Sequence, residues 1–214
     1  MRMLEVGVAV TGLVFLSPLF LVVALLIKLT SWGPVFYKAN RIGRSGEPFV
    51  LYKFRSMGVD TDMQGPAITT KDDDRITSLG RLLRRTKIDE LPQLINVVKG
   101  EMSLVGPRPE DPKYLEYYTQ EQLKVLSIRP GITSPASVTY RHEEQMLHGA
   151  DWEKLYIEEI LPAKLFLELN YIERKSLGTD LWILWRTFQL LFQSSQEIGT
   201  GKRQKKSLSP GIFR

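Results

Sequence analysis

The chain has 214 residues, 43% of them hydrophobic and 25% charged, with a net charge of +5. Those proportions are ordinary for a globular protein and exclude a wholly disordered chain or a polytopic membrane protein. There is no cysteine, and His142 and His148 are the two histidines, which removes disulfides, cysteine–zinc sites, thiol catalysis and a histidine-rich metal site. The charge is uneven: +6 over residues 1–88, −5 over 89–195 and +4 from Gln196 onward. A basic first half predicts an anionic partner, whether phosphates, lipid head groups or nucleic acid.

Residues 6–27 form a run of 22 residues without a charge. As a helix it covers roughly 33 Å, against about 30 Å for a bilayer core, so it belongs in a membrane. The run is long for a signal peptide, and Lys28-Leu29-Thr30-Ser31-Trp32 offers no small-residue cleavage site. Ser17-Pro18 sits in its middle, where proline removes a backbone hydrogen bond and predicts a kink. The residues leave two arrangements open: a spanning helix, and a bent one that returns to the face it entered. Arg2 and Lys28 balance each other and set no orientation.

Trp32-Gly33-Pro34 breaks the helix. Val35-Phe36-Tyr37-Lys38 and Phe49-Val50-Leu51-Tyr52-Lys53-Phe54 flank Gly43-Arg44-Ser45-Gly46 and predict a β-hairpin. Residues 58–74 read as a polar, mobile loop. Helices are expected over 78–86, over 89–98 with Gly100 as the stop, over 113–128, and over 152–171 with a break near Pro162. Residues 179–192 hold Trp182 and Trp185 among apolar side chains. They are too short to span and read either as an interfacial helix or as a core helix. From residue 194 the chain is polar and expected to be flexible, with Lys202-Arg203-Gln204-Lys205-Lys206 either touching anionic lipid or solvated.

The chemistry concentrates in Lys87-Ile88-Asp89-Glu90-Leu91-Pro92-Gln93-Leu94. Pro92 suits a first helical turn, which places Asp89 near the N-cap and Glu90 just inside. Such an end carries free N–H groups and favours phosphate and ionised carboxylates. Two adjacent acids can divide labour, one attacking and one holding Mg²⁺; an Asp-Glu pair is also simply a good helix start. Arg81, Arg84, Arg85 and Lys87 precede this site, Lys53 and Arg55 end the hairpin, and prolines 107 and 109 stiffen the loop around Arg108. Paired acids, arginines and a membrane anchor suit a charged phosphate ester on one side and a lipid on the other. No nucleic-acid recognition motif, phosphate loop or Gly-x-Ser-x-Gly elbow occurs.

Six segments in order resemble the bacterial sugar transferases, the monotopic phosphoglycosyl transferases. They are Leu16-Ser17-Pro18-Leu19, Gly33-Pro34-Val35-Phe36, Tyr52-Lys53-Phe54-Arg55-Ser56-Met57, Asp89-Glu90-Leu91-Pro92-Gln93-Leu94, the stretch from Lys99-Gly100-Glu101 through Gly106-Pro107-Arg108-Pro109, and Arg129-Pro130-Gly131-Ile132-Thr133. The resemblance covers residues 3–192. It implies a mostly helical α+β fold: a re-entrant membrane helix broken at Ser17-Pro18 (1–33), a catalytic domain with one β-hairpin (34–150), C-terminal amphipathic helices (151–193) and a basic tail (194–214).

It also implies an activity at the cytoplasmic face of the bacterial inner membrane, in polysaccharide or glycoconjugate assembly. Asp89 would attack the β-phosphate of a UDP-sugar, release UMP and hand the phospho-sugar to polyprenyl phosphate. Glu90 would hold Mg²⁺. Arg84 and Arg108 would bind phosphate oxygens, with Lys53, Arg55, Pro107, Pro109 and Arg129 as further substrate contacts. Nucleic acid is not expected as a partner, and a homodimer through the C-terminal helices is open. Where many members continue Gly-Leu-Ala-Gln-Val after Arg-Pro-Gly-Ile-Thr, this chain has Ser134-Pro135-Ala136-Ser137-Val138, and a Glu stands at position 5 where an Asp is common. A catalytically silent scaffold is the alternative reading.

Overall fold

The computed structural model describes residues 2–59, 68–69, 73–147, 149 and 151–200, with side chains as far as Leu191. Most of the loop at 58–74, His148, and the lysine tract at 202–206 lie outside the described residues.

Helix α1 (Arg2–Thr30) contains the whole uncharged run, and its helical hydrogen bonding continues through Pro18. Both of its ends rest on the rest of the chain. Arg2 donates to the carbonyls of Met102, at 2.8 Å, and Val97, and Glu5 accepts from the Ser103 hydroxyl. Ala9 packs with Ala39, Leu51, Val97 and Met102. Further along, Val23 and Ile27 pack with Phe54 and Leu83. Phe20 meets Phe54 edge-on at 5.1 Å. The opposite face leaves Val14, Phe15, Leu21, Val22 and Leu25 exposed.

Strands β1 (Phe36–Ile42) and β2 (Pro48–Phe54) pair antiparallel, with Phe36 opposite Phe54 and Ile42 opposite Pro48. A tight turn at Arg44–Gly46 joins them, with Ser45 in the left-handed region at φ 59°. Helix α2 (Ser78–Thr86) starts where the sequence places it, because Thr77 caps it by accepting from the Gly80 N–H.

The helix expected over 89–98 divides. Lys87 adopts φ 58°, ending α2 and starting a 3₁₀ turn at Ile88–Glu90, and α3 (Gln93–Lys99) follows. Asp89 and Glu90 therefore sit on the 3₁₀ turn ahead of the helix. The helix expected over 113–128 is replaced by two 3₁₀ segments, Pro112–Tyr117 and Gln122–Ser127. Between them, Thr119 and Gln122 exchange reciprocal side chain–backbone bonds of 2.9 and 3.2 Å, a capping box that restarts the chain in a new direction.

Two short strands, β3 (Ser103–Val105) and β4 (Gly131–Thr133), pair in parallel. The approach is close: a Cβ on Gly131 would lie 2.1 Å from the Gly106 nitrogen, and one on Gly106 would lie 2.4 Å from the Arg129 carbonyl oxygen. Only glycine fits at either position. Three short helices follow, α4 (Pro135–Thr139), α5 (Glu143–Met146) and α6 (Trp152–Leu155). A π segment at Tyr156–Ile160 precedes α7 (Leu161–Glu173), near the break expected at Pro162. Helix α8 (Leu177–Thr200) extends past the point at which the flexible tail was expected, and exposes Leu181, Trp182, Trp185 and Phe188. Its buried face sets Ile183 against Val105 and Tyr171.

Candidate active site

Three elements deliver side chains to one open cleft of about 2170 Å³. The 3₁₀ turn brings Asp89 and Glu90, the end of β2 brings Lys53, and the loop after β3 brings Arg108. Glu90 Oε1 lies 3.0 Å from Lys53 Nζ and 2.7 Å from an Arg108 terminal nitrogen. Its Oε2 has only a long 3.5 Å contact with Arg108. Burial works to raise the Glu90 carboxyl, but Arg108 and then Lys53 outweigh it and hold the group well below the ordinary range. Glu90 also leaves the Arg108 guanidinium holding its proton more tightly than usual. Burial lowers Lys53 in spite of Glu90.

Asp89 differs from its neighbour. It is 5% exposed, and its Oδ1 is buried with no hydrogen-bond partner. Burial and then the charge on Glu90 push its carboxyl up, against the pull of Lys53, Lys87 and Arg84. An unpaired carboxylate oxygen in a low-dielectric wall is a stronger nucleophile than a hydrated one, and it is held there by the Lys87 reversal.

Of the other expected site residues, Pro109, Arg84 and Arg55 line the same cleft. Arg84 donates to Ser56 Oγ at 2.8 Å and Thr69 Oγ1 at 2.7 Å. Pro107 faces away; its carbonyl accepts from the Gly131 N–H at 2.9 Å and fastens the loop to β4. Arg129 does not line the cleft. Its Nε donates to the Gly100 carbonyl at 2.8 Å, tying β4 to the end of α3. Ser17 and Pro18 lie far along α1, where Ser17 Oγ donates back to Val14 O at 2.8 Å.

The sequence reading passed over Glu168. It is buried in α7 and accepts from the Ser134 hydroxyl at 2.6 Å and from the Arg108 N–H at 3.4 Å, so it braces the arginine loop from behind. Burial pushes it up to about 7. The signal was available: Glu168 falls on the stripe of Leu161, Leu165 and Tyr171, a carboxylate on a buried helix face. A second cluster lines the cleft nearby. Tyr156 donates to Glu110 at 2.6 Å, and Lys164 reaches Glu143 at 3.0 Å and Tyr156 at 3.2 Å.

The model of the family described as bacterial sugar transferase matches residues 1–194. A UDP-N-acetylgalactosamine-undecaprenyl-phosphate N-acetylgalactosaminephosphotransferase of Aeromonas hydrophila is 35% identical over 89% of this chain, which spans 43% of that protein's length. A UDP-glucose:undecaprenyl-phosphate glucose-1-phosphate transferase of Caulobacter vibrioides is 38% identical over 87% of the chain and 67% of its own length. The uncharacterized sugar transferase EpsL of Bacillus subtilis is 37% identical over 90% of the chain and 87% of its own length. The family match runs from α1 into α8 and takes in every residue of the cleft described above: the chain belongs to the bacterial sugar transferase family.

Proposed function

We propose that the protein transfers a sugar 1-phosphate from a UDP-sugar to undecaprenyl or another polyprenyl phosphate through a covalent aspartyl intermediate. The observation that carries this reading is Asp89: a buried carboxylate with an unpartnered Oδ1, next to a Glu90 already neutralised by Lys53 and Arg108. Relatives at 35–38% identity bear names of sugar-phosphate transfer to undecaprenyl phosphate, from UDP-N-acetylgalactosamine and UDP-glucose.

The Asp89 carboxylate attacks the β-phosphorus of the donor. The bond from that phosphorus to the oxygen bridging the two phosphates breaks, and UMP leaves with the electron pair. A phosphate oxygen of the acceptor then attacks the same phosphorus. The bond from phosphorus to the carboxylate oxygen breaks, the Asp89 carboxylate is restored, and polyprenyl diphosphate sugar departs. Arg108 and Arg84 supply positive charge where the phosphate oxygens gather it. Lys53 holds Glu90 in place and offsets the second negative charge beside the nucleophile.

The site fits Mg²⁺. That ion is commonly held by one or two carboxylates together with substrate phosphates, and Glu90 Oε2 is weakly engaged here. Glu90 would hold the ion, with Asp89 beside it. When bound, it would neutralise diphosphate charge.

The α1 contacts support a monotopic placement with a re-entrant helix, because both ends of the helix rest on one catalytic domain. A nucleotide-sugar donor puts the cleft on the cytoplasmic side. The test is UMP release from a UDP-sugar panel with Mg²⁺ and polyprenyl phosphate. Wild type is expected to release UMP with at least one donor, and Asp89→Asn with none. Equal release by the variant sinks the covalent mechanism, and silence of the wild type with every donor favours a scaffold.

A further inference from the structure

Three of the basic side chains on the cleft have polar partners that use their hydrogens. Lys53 and Arg108 share Glu90, and Arg84 bonds Ser56 and Thr69. Arg55 stands apart. It is 7% exposed, and one terminal nitrogen donates to Ser31 Oγ at 2.6 Å and Ser31 O at 2.9 Å. Its Nε and other terminal nitrogen are buried with no hydrogen-bond partner. Three of its five N–H groups are thus unused. No acidic side chain among the described residues offsets the charge, and burial alone pushes the guanidinium down. A buried cation in that state calls for an anion that the described residues do not provide.

The surroundings say where that anion comes from. Gly33 has φ +117°, and a Cβ there would lie 2.1 Å from the unpartnered terminal nitrogen. Glycine therefore lets the guanidinium lie against the elbow that follows α1. Lys28 Nζ fixes the elbow by donating to Gly33 O at 2.8 Å. The last turns of α1 expose Leu25 and Leu29, and Trp32 is 94% exposed. Tryptophan after an apolar helix marks the head-group level of a bilayer. Val59, half-exposed, stands over the same elbow. Arg55 also lines the cleft that holds Asp89.

We propose that Arg55, at the Gly33 elbow, seats a phosphate carried by a lipid, namely the phosphate of the polyprenyl acceptor in the second half of the reaction. The assignment rests on the transfer reading above. An unpaired guanidinium beside the end of the apolar helix suits a phosphomonoester whose chain remains in the bilayer, whereas the donor's phosphates meet Arg108 and Arg84.

The experiment reads binding directly, so it does not depend on turnover. Geranylgeranyl phosphate is titrated calorimetrically into the full chain in detergent micelles. Arg55→Gln is expected to weaken binding at least ten-fold, and Arg55→Lys to recover part of the loss because it keeps the charge. Ser31→Ala, which loosens the guanidinium without removing it, is expected to weaken binding a few-fold and decides the matter if Arg55→Gln does not fold. Geranylgeraniol, lacking the phosphate, is expected to distinguish none of them.

Unchanged affinity for geranylgeranyl phosphate in Arg55→Gln and Ser31→Ala overturns the proposal. A loss confined to UDP, or to binding of phosphatidylglycerol vesicles, also overturns it by assigning Arg55 to the donor or to a bilayer phospholipid. A failed UMP-release test with retained Arg55-dependent prenyl phosphate binding would instead discard the covalent reading and leave this seat in place.

Discussion

Asp89, Glu90 and Glu168 are three buried carboxyl groups with three different surroundings. Asp89 Oδ1 has no partner, and leaving a buried polar atom unsatisfied costs about 1–3 kcal/mol. Asp89→Asn removes the charge from that wall, so it is expected to melt at or above wild type, by roughly 2–4 °C for each kcal/mol in a chain of this size. UMP release is expected to fall at least ~10³-fold, as for loss of a nucleophile elsewhere. A variant that melts lower and keeps its activity would show Asp89 to be structural. If Asp89 is the nucleophile, its raised carboxyl is expected to set the acid limb of the rate: activity falls as pH falls through its folded value, because the protonated acid cannot attack. Glu168 sits near 7 when folded, against an ordinary 4.5. Between those values the unfolded chain gives up a proton that the folded chain retains, so stability drops as pH rises across that window and then levels off. The drop is at most about 3 kcal/mol. Glu168→Gln is expected to remove it, raising the thermal midpoint relative to wild type more at pH 8 than at pH 5. An equal offset at both values would acquit Glu168.

At the scale of elements, Arg129 separates a structural role from a binding one. Its family segment, Arg129-Pro130-Gly131, points to a substrate contact, but its Nε is spent on the Gly100 carbonyl. Arg129→Met is expected to cost about 1 kcal/mol of stability and to leave the donor KM unchanged; a KM rise without a stability loss would return it to the binding site. The same β3–β4 region marks where sequence reasoning stopped. Helix α2 was legible because a capping threonine and an amphipathic pattern agree, and the antiparallel strands because β-formers flank a glycine turn. Strands of three residues leave no periodicity to read, and Ser103 pairs with Gly131 across a separation that only the tertiary fold supplies. The 3₁₀ turn under Asp89 was hidden for another reason. Pro92 does announce a helix start, but Lys87 in the left-handed region inserts a turn before it, and lysine carries no signal for that conformation. The convergence of Lys53 and Arg108 on Glu90 was anticipated only as a crowd of basic residues, since charge spacing says nothing about which cation meets which acid.

The whole molecule is arranged around α1, and that arrangement bears on topology. Its 29 residues make a rod of about 43 Å, longer than the hydrocarbon core of a bilayer. Yet Ala9 packs on Ala39 and Leu51, while Val23 and Ile27 pack on Phe54, so one antiparallel strand pair runs beside both halves of the helix. If α1 crossed the membrane, that pair would be drawn to hydrocarbon depth with its edge N–H and C=O groups unpaired, which a bilayer does not tolerate. Both ends should therefore face one side. The absence of native cysteine allows a direct reading: Met3→Cys in the first turn of the helix and Trp32→Cys just past its end stand at positions 90% and 94% exposed. A membrane-impermeant maleimide is expected to label both in inverted inner-membrane vesicles and neither in intact spheroplasts. Labelling of one position from each side would make α1 a spanning helix, and would require the catalytic domain to leave one end of it in the membrane-bound state.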